Sequence, residues 1–136
     1  METSKASAKS ADRVIVDANP IISAVIGGKA REIFLTSRVV EFATTAFTWQ
    51  EALEYLPDMV HKPKVRRAGI PLSELYTTLV ALPLVVYELE FYKGKMAAAQ
   101  SRMEKRDPDD AHLLALALKL ISVHHVTLSG AKGLSA

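Results

Sequence analysis

No cysteine occurs among the 136 residues, which excludes disulfide frameworks and thiolate metal sites. Any metal must then sit on carboxylate oxygens or imidazoles, and carboxylate oxygens suit hard cations such as Mg²⁺ and Mn²⁺. No apolar run approaches the roughly 20 residues that cross a bilayer. The stretch from Met1 to Asp12 is polar, rich in Ser, Ala and Lys, and lacks the apolar segment of a secretion signal. It reads as a disordered tail, 1–12, ahead of one domain over 13–136, with the protein placed in the cytoplasm. Neither sign of charge dominates: the net charge of +2 permits a nucleic-acid partner without pointing to one. Internal repeats and low-complexity linkers are missing, and so is a Gly-x-Ser-x-Gly elbow. The histidines, His61, His112, His124 and His125, lack the i, i+4 spacing of a helical metal pair.

What is present is ordinary for a protein with a core: 49% hydrophobic and 24% charged residues. The length fits a single domain. Val14-Ile15-Val16 is short, β-branched and followed by Asp17, as in a buried strand that ends in a carboxylate. Asn19-Pro20 opens a helix with Ile21, Ile22 and Val25 on its apolar side, and Gly27-Gly28 stop it. A second helix is expected from Lys29 to Ser37 and a second strand over Val39 to Ala43. Thr48 and Glu51 have the spacing of a capping box, which places a helix start at Thr48. Trp49, Leu53 and Leu56 follow at helical spacing, and Pro57 and Pro63 suggest a division into two helices. Pro71 and Ser73-Glu74 open a further helix that Pro83 ends. Leu84 to Tyr87 is a third strand, a helix lies between Glu88 and Lys105 with Gly94 weakening its start, an apolar helix ends at Leu120, and His125 to Leu128 is a fourth strand. Short apolar strands alternating with helices predict an α/β fold, a parallel sheet with helices on both faces. Such sheets gather functional residues at the carboxyl ends of their strands.

Asp17 stands at such an end. A carboxylate after a buried strand is costly unless paired or bound to a cation; it is also a common helix cap. Asn19 can do the capping, which leaves Asp17 without an obvious structural duty. In Asp107-Pro108-Asp109-Asp110, Asp107 can cap, Pro108 fits the first helical position, and the acids complement the helix dipole. One capping acid suffices, however, and helical spacing lines Asp110 up with Leu113, Leu114 and Ala117 on the buried side. Asp109 is expected to face water. Glu51 and Glu54, on composition alone, read as surface or capping glutamates. The run His61-Lys62-Pro63-Lys64-Val65-Arg66-Arg67 reads as a solvated loop or helix end, with contact to a phosphate backbone as the sharper alternative.

Together these segments resemble the PIN-domain family. Val14-Ile15-Val16-Asp17-Ala18-Asn19-Pro20-Ile21-Ile22-Ser23-Ala24 is similar to the family's opening, an acid and an Asn at the end of the first strand with a Ser four residues on. Trp49-Gln50-Glu51-Ala52-Leu53-Glu54-Tyr55-Leu56 resembles its second acidic segment, with Glu51 on the acid. Arg106-Asp107-Pro108-Asp109-Asp110-Ala111-His112-Leu113-Leu114 resembles the third, with Asp110 on the acid and Asp107 on a frequent extra one. The resemblance implies a three-layer fold with a central parallel sheet of four or five strands. It implies a metal-dependent endoribonuclease using Mg²⁺ or Mn²⁺, with Asp17, Glu51 and Asp110 catalytic, Asp107 joining them on the metal, and Asn19 and Ser23 in support. Many small members resemble VapC toxins, each neutralised by a bound VapB antitoxin. An RNA substrate, an antitoxin of that kind and homodimerisation are therefore the implied partners.

The chain departs from the pattern near its end. Family members carry a further Asp in a Thr/Ser-x-Asp arrangement, and Ala131 stands in its place within Leu128-Ser129-Gly130-Ala131. The alternative this raises is a catalytically impaired PIN fold that works as a binding or regulatory module. A third reading, a doubly wound nucleotide-binding protein, is opposed by the lack of a Gly-rich turn after the first strand.

Overall fold

The computed structural model describes residues 12–38, 41–103, 110–124 and 127–128. The expected tail, Asp107, Asp109 and Ala131 lie outside them, apart from Asp12, whose backbone opens the first strand. The elements in chain order are β1 (Asp12–Ile15), α1 (Ala18–Ile26), α2 (Lys29–Thr36), β2 (Glu41–Thr45), α3 (Ala46–Met59), α4 (Pro63–Ala68), α5 (Leu72–Ala81) and β3 (Leu84–Tyr87). There follow α6 (Leu89–Tyr92), a 3₁₀ turn (Lys93–Lys95), α7 (Met96–Arg102), α8 (Ala111–His124) and β4 (Thr127–Leu128).

The sheet is parallel with strand order β3-β2-β1-β4. The chain steps outward from β1 to β3 and then returns to the far side of β1. Successive side chains on a strand point to opposite faces, and two separate cores result. Val14, Phe42 and Leu84 stand in register on one face and pack beneath α1 to α5, where Ile21, Leu56, Val65 and Leu79 are buried. Ile15 and Ala43 are in register on the other face, beneath α6 to α8, with Tyr92, Leu116 and Leu120 buried. The α/β layering with a parallel sheet is as expected. The strand count is smaller: three full strands carry the sheet, and the fourth position holds only the two-residue segment β4, paired with Asp12 and Arg13, in place of four or five.

Several boundaries moved, each for a local reason. β2 runs on to Thr45 because Thr44 and Thr45, both β-branched and buried, pair with Val86 and Tyr87. The cap of α3 is accordingly Thr45, whose hydroxyl accepts from the Thr48 amide at 2.9 Å; Thr48 lies inside the helix, and Glu51 is no capping-box residue. Pro57 is accommodated near the end of α3, and Pro63 opens α4. The expected helix between Glu88 and Lys105 is broken into α6, the 3₁₀ turn containing Gly94, and α7. α8 extends past Leu120 to His124. Gly27 and Gly28 stop α1 as expected, both with positive φ. Arg31 reaches back to this helix end, donating from Nε to the Ala24 carbonyl at 2.9 Å and from Nη2 to the Val25 carbonyl at 2.7 Å.

Candidate active site at the carboxyl edge of the sheet

With the order β3-β2-β1-β4, the connections run from β1 to one side of the sheet and return to its other side, so the region outside the carboxyl end of β1 is the switch point where parallel sheets commonly place a site. Val16 carries the chain into it. Its amide donates to the Ala43 carbonyl at 2.8 Å, and its own carbonyl accepts from the buried Thr44 hydroxyl at 2.7 Å. The residue that follows, Asp17, is therefore launched from a doubly anchored peptide. It is exposed, and its Oδ1 accepts from the Ala18 amide at 2.6 Å as the cap of α1.

That corrects the assignment of the cap to Asn19. Asn19 lies in the first turn of α1, where the amides have no intrahelical acceptor, so Pro20 is tolerated one residue later. Asn19 and Ser23 are both exposed and four residues apart, hence on one side of α1. Asp17 thus has a structural duty after all, and capping does not compete with a second role: it uses one lone pair of a group that can accept about four hydrogen bonds.

Glu51 is half-buried in α3, one helical turn beyond Phe47. Asp110 is half-buried at the start of α8, with Leu114 and Ala117 buried on its side of the helix. A ring contact brings these helices together. Phe47 stacks flat on His112, with centroids 4.2 Å apart and planes 6° from parallel. Behind the imidazole stands Tyr92, whose hydroxyl shares a 2.7 Å hydrogen bond with His112 Nδ1. Burial pushes the Tyr92 phenol above its ordinary pKa, and the Thr45 hydroxyl beside it opposes that shift. Thr45, Thr48, Tyr92, His112 and Phe47 form a connected cluster. Apart from Thr48, read as a helix cap, none was assigned a role from the sequence. His112 carried no spacing signal, and Tyr92 falls in a stretch whose helix is broken.

The donor chemistry of Asp17, Glu51 and Asp110, all carboxylate oxygen, fits a hard divalent cation. Among the described residues, no three His, Asp or Glu side chains stand close enough together to hold an ion. The basic run is a surface feature: Lys62, Lys64, Arg66 and Arg67 are exposed around buried Val65, and Lys62 Nζ lies 5.8 Å from the Tyr55 ring centroid. No helix among the described residues is long and apolar enough to cross a membrane.

The parallel α/β sheet is consistent with one family in particular, and comparison shows it: residues 15–123 match the PIN domain. The chain belongs to the PIN-domain family, whose members are generally nucleases, and RNA binding goes with that membership. No curated protein matches the chain.

Proposed function

We propose that this protein is a divalent-metal-dependent endoribonuclease, of the VapC-like kind, that hydrolyses RNA phosphodiester bonds. The observation that carries the proposal is the position of Asp17 just past the carboxyl end of β1, at the switch point of the sheet. Support comes from Asp110, on the helix α8 that the Phe47–His112 stack ties to the Glu51 helix α3.

Asp17, Glu51 and Asp110 would hold Mg²⁺ or Mn²⁺, with Asp107 as a further ligand. Carboxylates gathered at one place repel one another, and a cation relieves that repulsion. When bound, it activates a water and offsets charge on the scissile phosphate. Asp17 is oriented by the amide of Ala18 at the amino end of α1. Asn19 and Ser23, on one side of α1, offer hydrogen bonds to an incoming phosphate or its water. The role as the toxin of a type II pair, with a VapB-like antitoxin and a homodimer, belongs to the same proposal and rests on the family likeness.

A second reading is favoured by Ala131, which replaces a further acid, and by the open spacing of the described acids: a PIN fold that binds RNA or protein without cutting. One experiment separates the two. Purified protein is incubated with structured and single-stranded RNA in Mn²⁺, in Mg²⁺ and in EDTA, beside Asp17→Asn and Asp110→Asn. Metal-dependent cleavage lost in both variants supports the nuclease. RNA retention without cleavage under every condition supports the binding module and overturns the nuclease.

A further inference from the structure

We infer that the basic face of α4, formed by Lys64, Arg66 and Arg67 with Lys62 beside them, is a docking surface for the phosphate backbone of RNA. The inference rests on RNA as the partner in the proposed function and names a surface which that proposal leaves unused. Each residue of a helix turns by about 100°, so Lys64, Arg66 and Arg67 spread over the side of α4 opposite Val65. Val65 is wholly buried in the core, and the three cations are exposed. That anchor fixes the direction in which the basic face points. Both ends of α4 are held as well. The Lys62 amide donates to the Met59 carbonyl at 3.0 Å, and Gly69, at φ 69°, turns the chain so that the Ile70 amide reaches the Val65 carbonyl at 3.4 Å. Lys62 Nζ lies 5.8 Å from the Tyr55 ring centroid, at the start of the same helix.

The helix itself does not account for the cluster. Arg66 and Arg67 stand in the last turn, where cations complement the helix dipole, but Lys64 stands in the first, where a cation opposes it. Lys64 and Arg67 are one turn apart and repel each other. Among the described residues, none of Lys64, Arg66 and Arg67 makes an ion pair. Lys62, Lys64, Arg66 and Arg67 fall in a stretch without an acid, whereas the whole chain has a net charge of only +2, so the remaining residues together are net acidic. A polyanion relieves the repulsion among these cations and gains affinity by shedding its own counterions.

The surroundings favour a nucleic-acid backbone over other anionic partners. A protein interface is built around an apolar centre. No large apolar side chain is exposed between 61 and 69; the exposed ones, such as Ile33, Val80 and Val123, stand on other helices. A helix that lies on a membrane inserts apolar side chains, and the large one that α4 carries is buried in the core. Phosphates require charge alone, without regard to base sequence.

The test is binding of labelled poly(U) and poly(A) RNA, followed by fluorescence anisotropy in EDTA over a range of NaCl. Three proteins are compared: the parent, a variant with Lys64→Gln, Arg66→Gln and Arg67→Gln, and a variant with Lys29→Gln, Lys93→Gln and Arg102→Gln, which removes the same charge elsewhere. The parent is expected to bind both polymers alike. The basic-face variant is expected to bind about 10-fold or more weakly at about 0.1 M salt, with the slope of log K against log salt shallower by about 2. The second variant is expected to keep the parental slope. A folded basic-face variant with parental affinity and slope would overturn the inference and leave the nuclease standing. Equal losses in both variants would overturn it too, because the number of charges and not their place would then matter. Phosphatidylserine vesicles that bind the parent more tightly than RNA does, and release the basic-face variant, would assign the face to a membrane surface instead. RNA held through this face but never cut in Mn²⁺ supports the inference while overturning the nuclease. A parent that binds neither polymer overturns the inference and the RNA partner together. Circular dichroism checks folding; should the triple basic-face variant unfold, the Lys64→Gln, Arg67→Gln pair decides, with a slope shallower by about 1 expected and an unchanged slope overturning the inference.

Discussion

The Thr44 hydroxyl donates to the main-chain carbonyl of Val16 at 2.7 Å, tying the peptide that precedes Asp17 to the neighbouring strand. Both residues are buried, Thr44 completely. Replacing Thr44 by the isosteric Val leaves the Val16 carbonyl without that donor, and an unsatisfied buried polar group costs about 1–3 kcal/mol. Thr44→Val is therefore expected to lower the unfolding free energy by that amount and to reduce RNA cleavage through the loosened Asp17. Chemical unfolding monitored by circular dichroism, with cleavage rates alongside, checks both. Unchanged stability would mean that the bond contributes nothing net.

Asp17 combines a cap with a proposed ligand, and substitution can separate the two. Asn caps a helix about as well as Asp, whereas Ala at a cap costs about 0.5–2 kcal/mol. Asp17→Asn should therefore unfold at nearly the parental temperature while cutting no RNA, and Asp17→Ala should lose both activity and stability. Equal destabilisation in the two variants would show that the negative charge, not the capping bond, stabilises α1.

Tyr87 gives a pH signature at the opposite core. Desolvation, followed by its hydrogen bond to Glu41 Oε2 at 2.7 Å and the charge of that carboxylate, raises its pKa to about 12, against a small opposing effect from Arg13. The folded state therefore holds the phenolic proton more tightly than the unfolded chain, whose tyrosines ionise near about 10. This contribution to stability is fully present below pH ~10 and is lost as pH rises towards 12. Ultraviolet titration should show a tyrosine ionising at about 12 that disappears in Tyr87→Phe, and the variant's stability should fall less steeply over that window.

Arg31 closes the end of α1 with two donated bonds, to Ala24 and Val25. Hydrogen bonds from a charged group contribute about 1.5–3 kcal/mol when the partner is desolvated. Arg31→Met keeps the stem and removes the guanidinium, so a loss of about that size is expected in equilibrium unfolding. RNA cleavage at a temperature where the variant is folded should persist, because Arg31 acts at the far end of α1 from Asp17.

How much of this was legible in advance follows from the range over which each signal acts. Val14 to Val16 and Leu84 to Tyr87 declared themselves as strands because a β-branched run needs only its own neighbours to be recognised. Gly27-Gly28 declared a helix end for the same local reason. The caps were misplaced by two and three residues, at Asn19 and Thr48, because Asp, Asn and Thr all cap well and only the pairing of β2 with β3 decides where the strand stops. The candidate acids were assigned through the family resemblance of their segments. Their supports were not: Thr44 bonds across 28 residues and Tyr92 across 20, and neither link leaves a mark in the linear pattern. Of the fourth strand expected over His125 to Leu128, the described residues Thr127 and Leu128 pair with β1, and the other two lie outside the described residues.

The pairing of β1 with β4 has a consequence in time. Asp12 and Arg13 align with Thr127 and Leu128, so the inner strand β1 gains its second neighbour only after every helix from α1 to α8 has been made. Contacts of such long sequence separation form slowly and late. A nascent chain that has emerged only as far as α7 carries Asp17 and Glu51 but not Asp110. On the proposed chemistry, the full set of acids exists only once α8 has followed, so cutting waits on the order in which the protein is made.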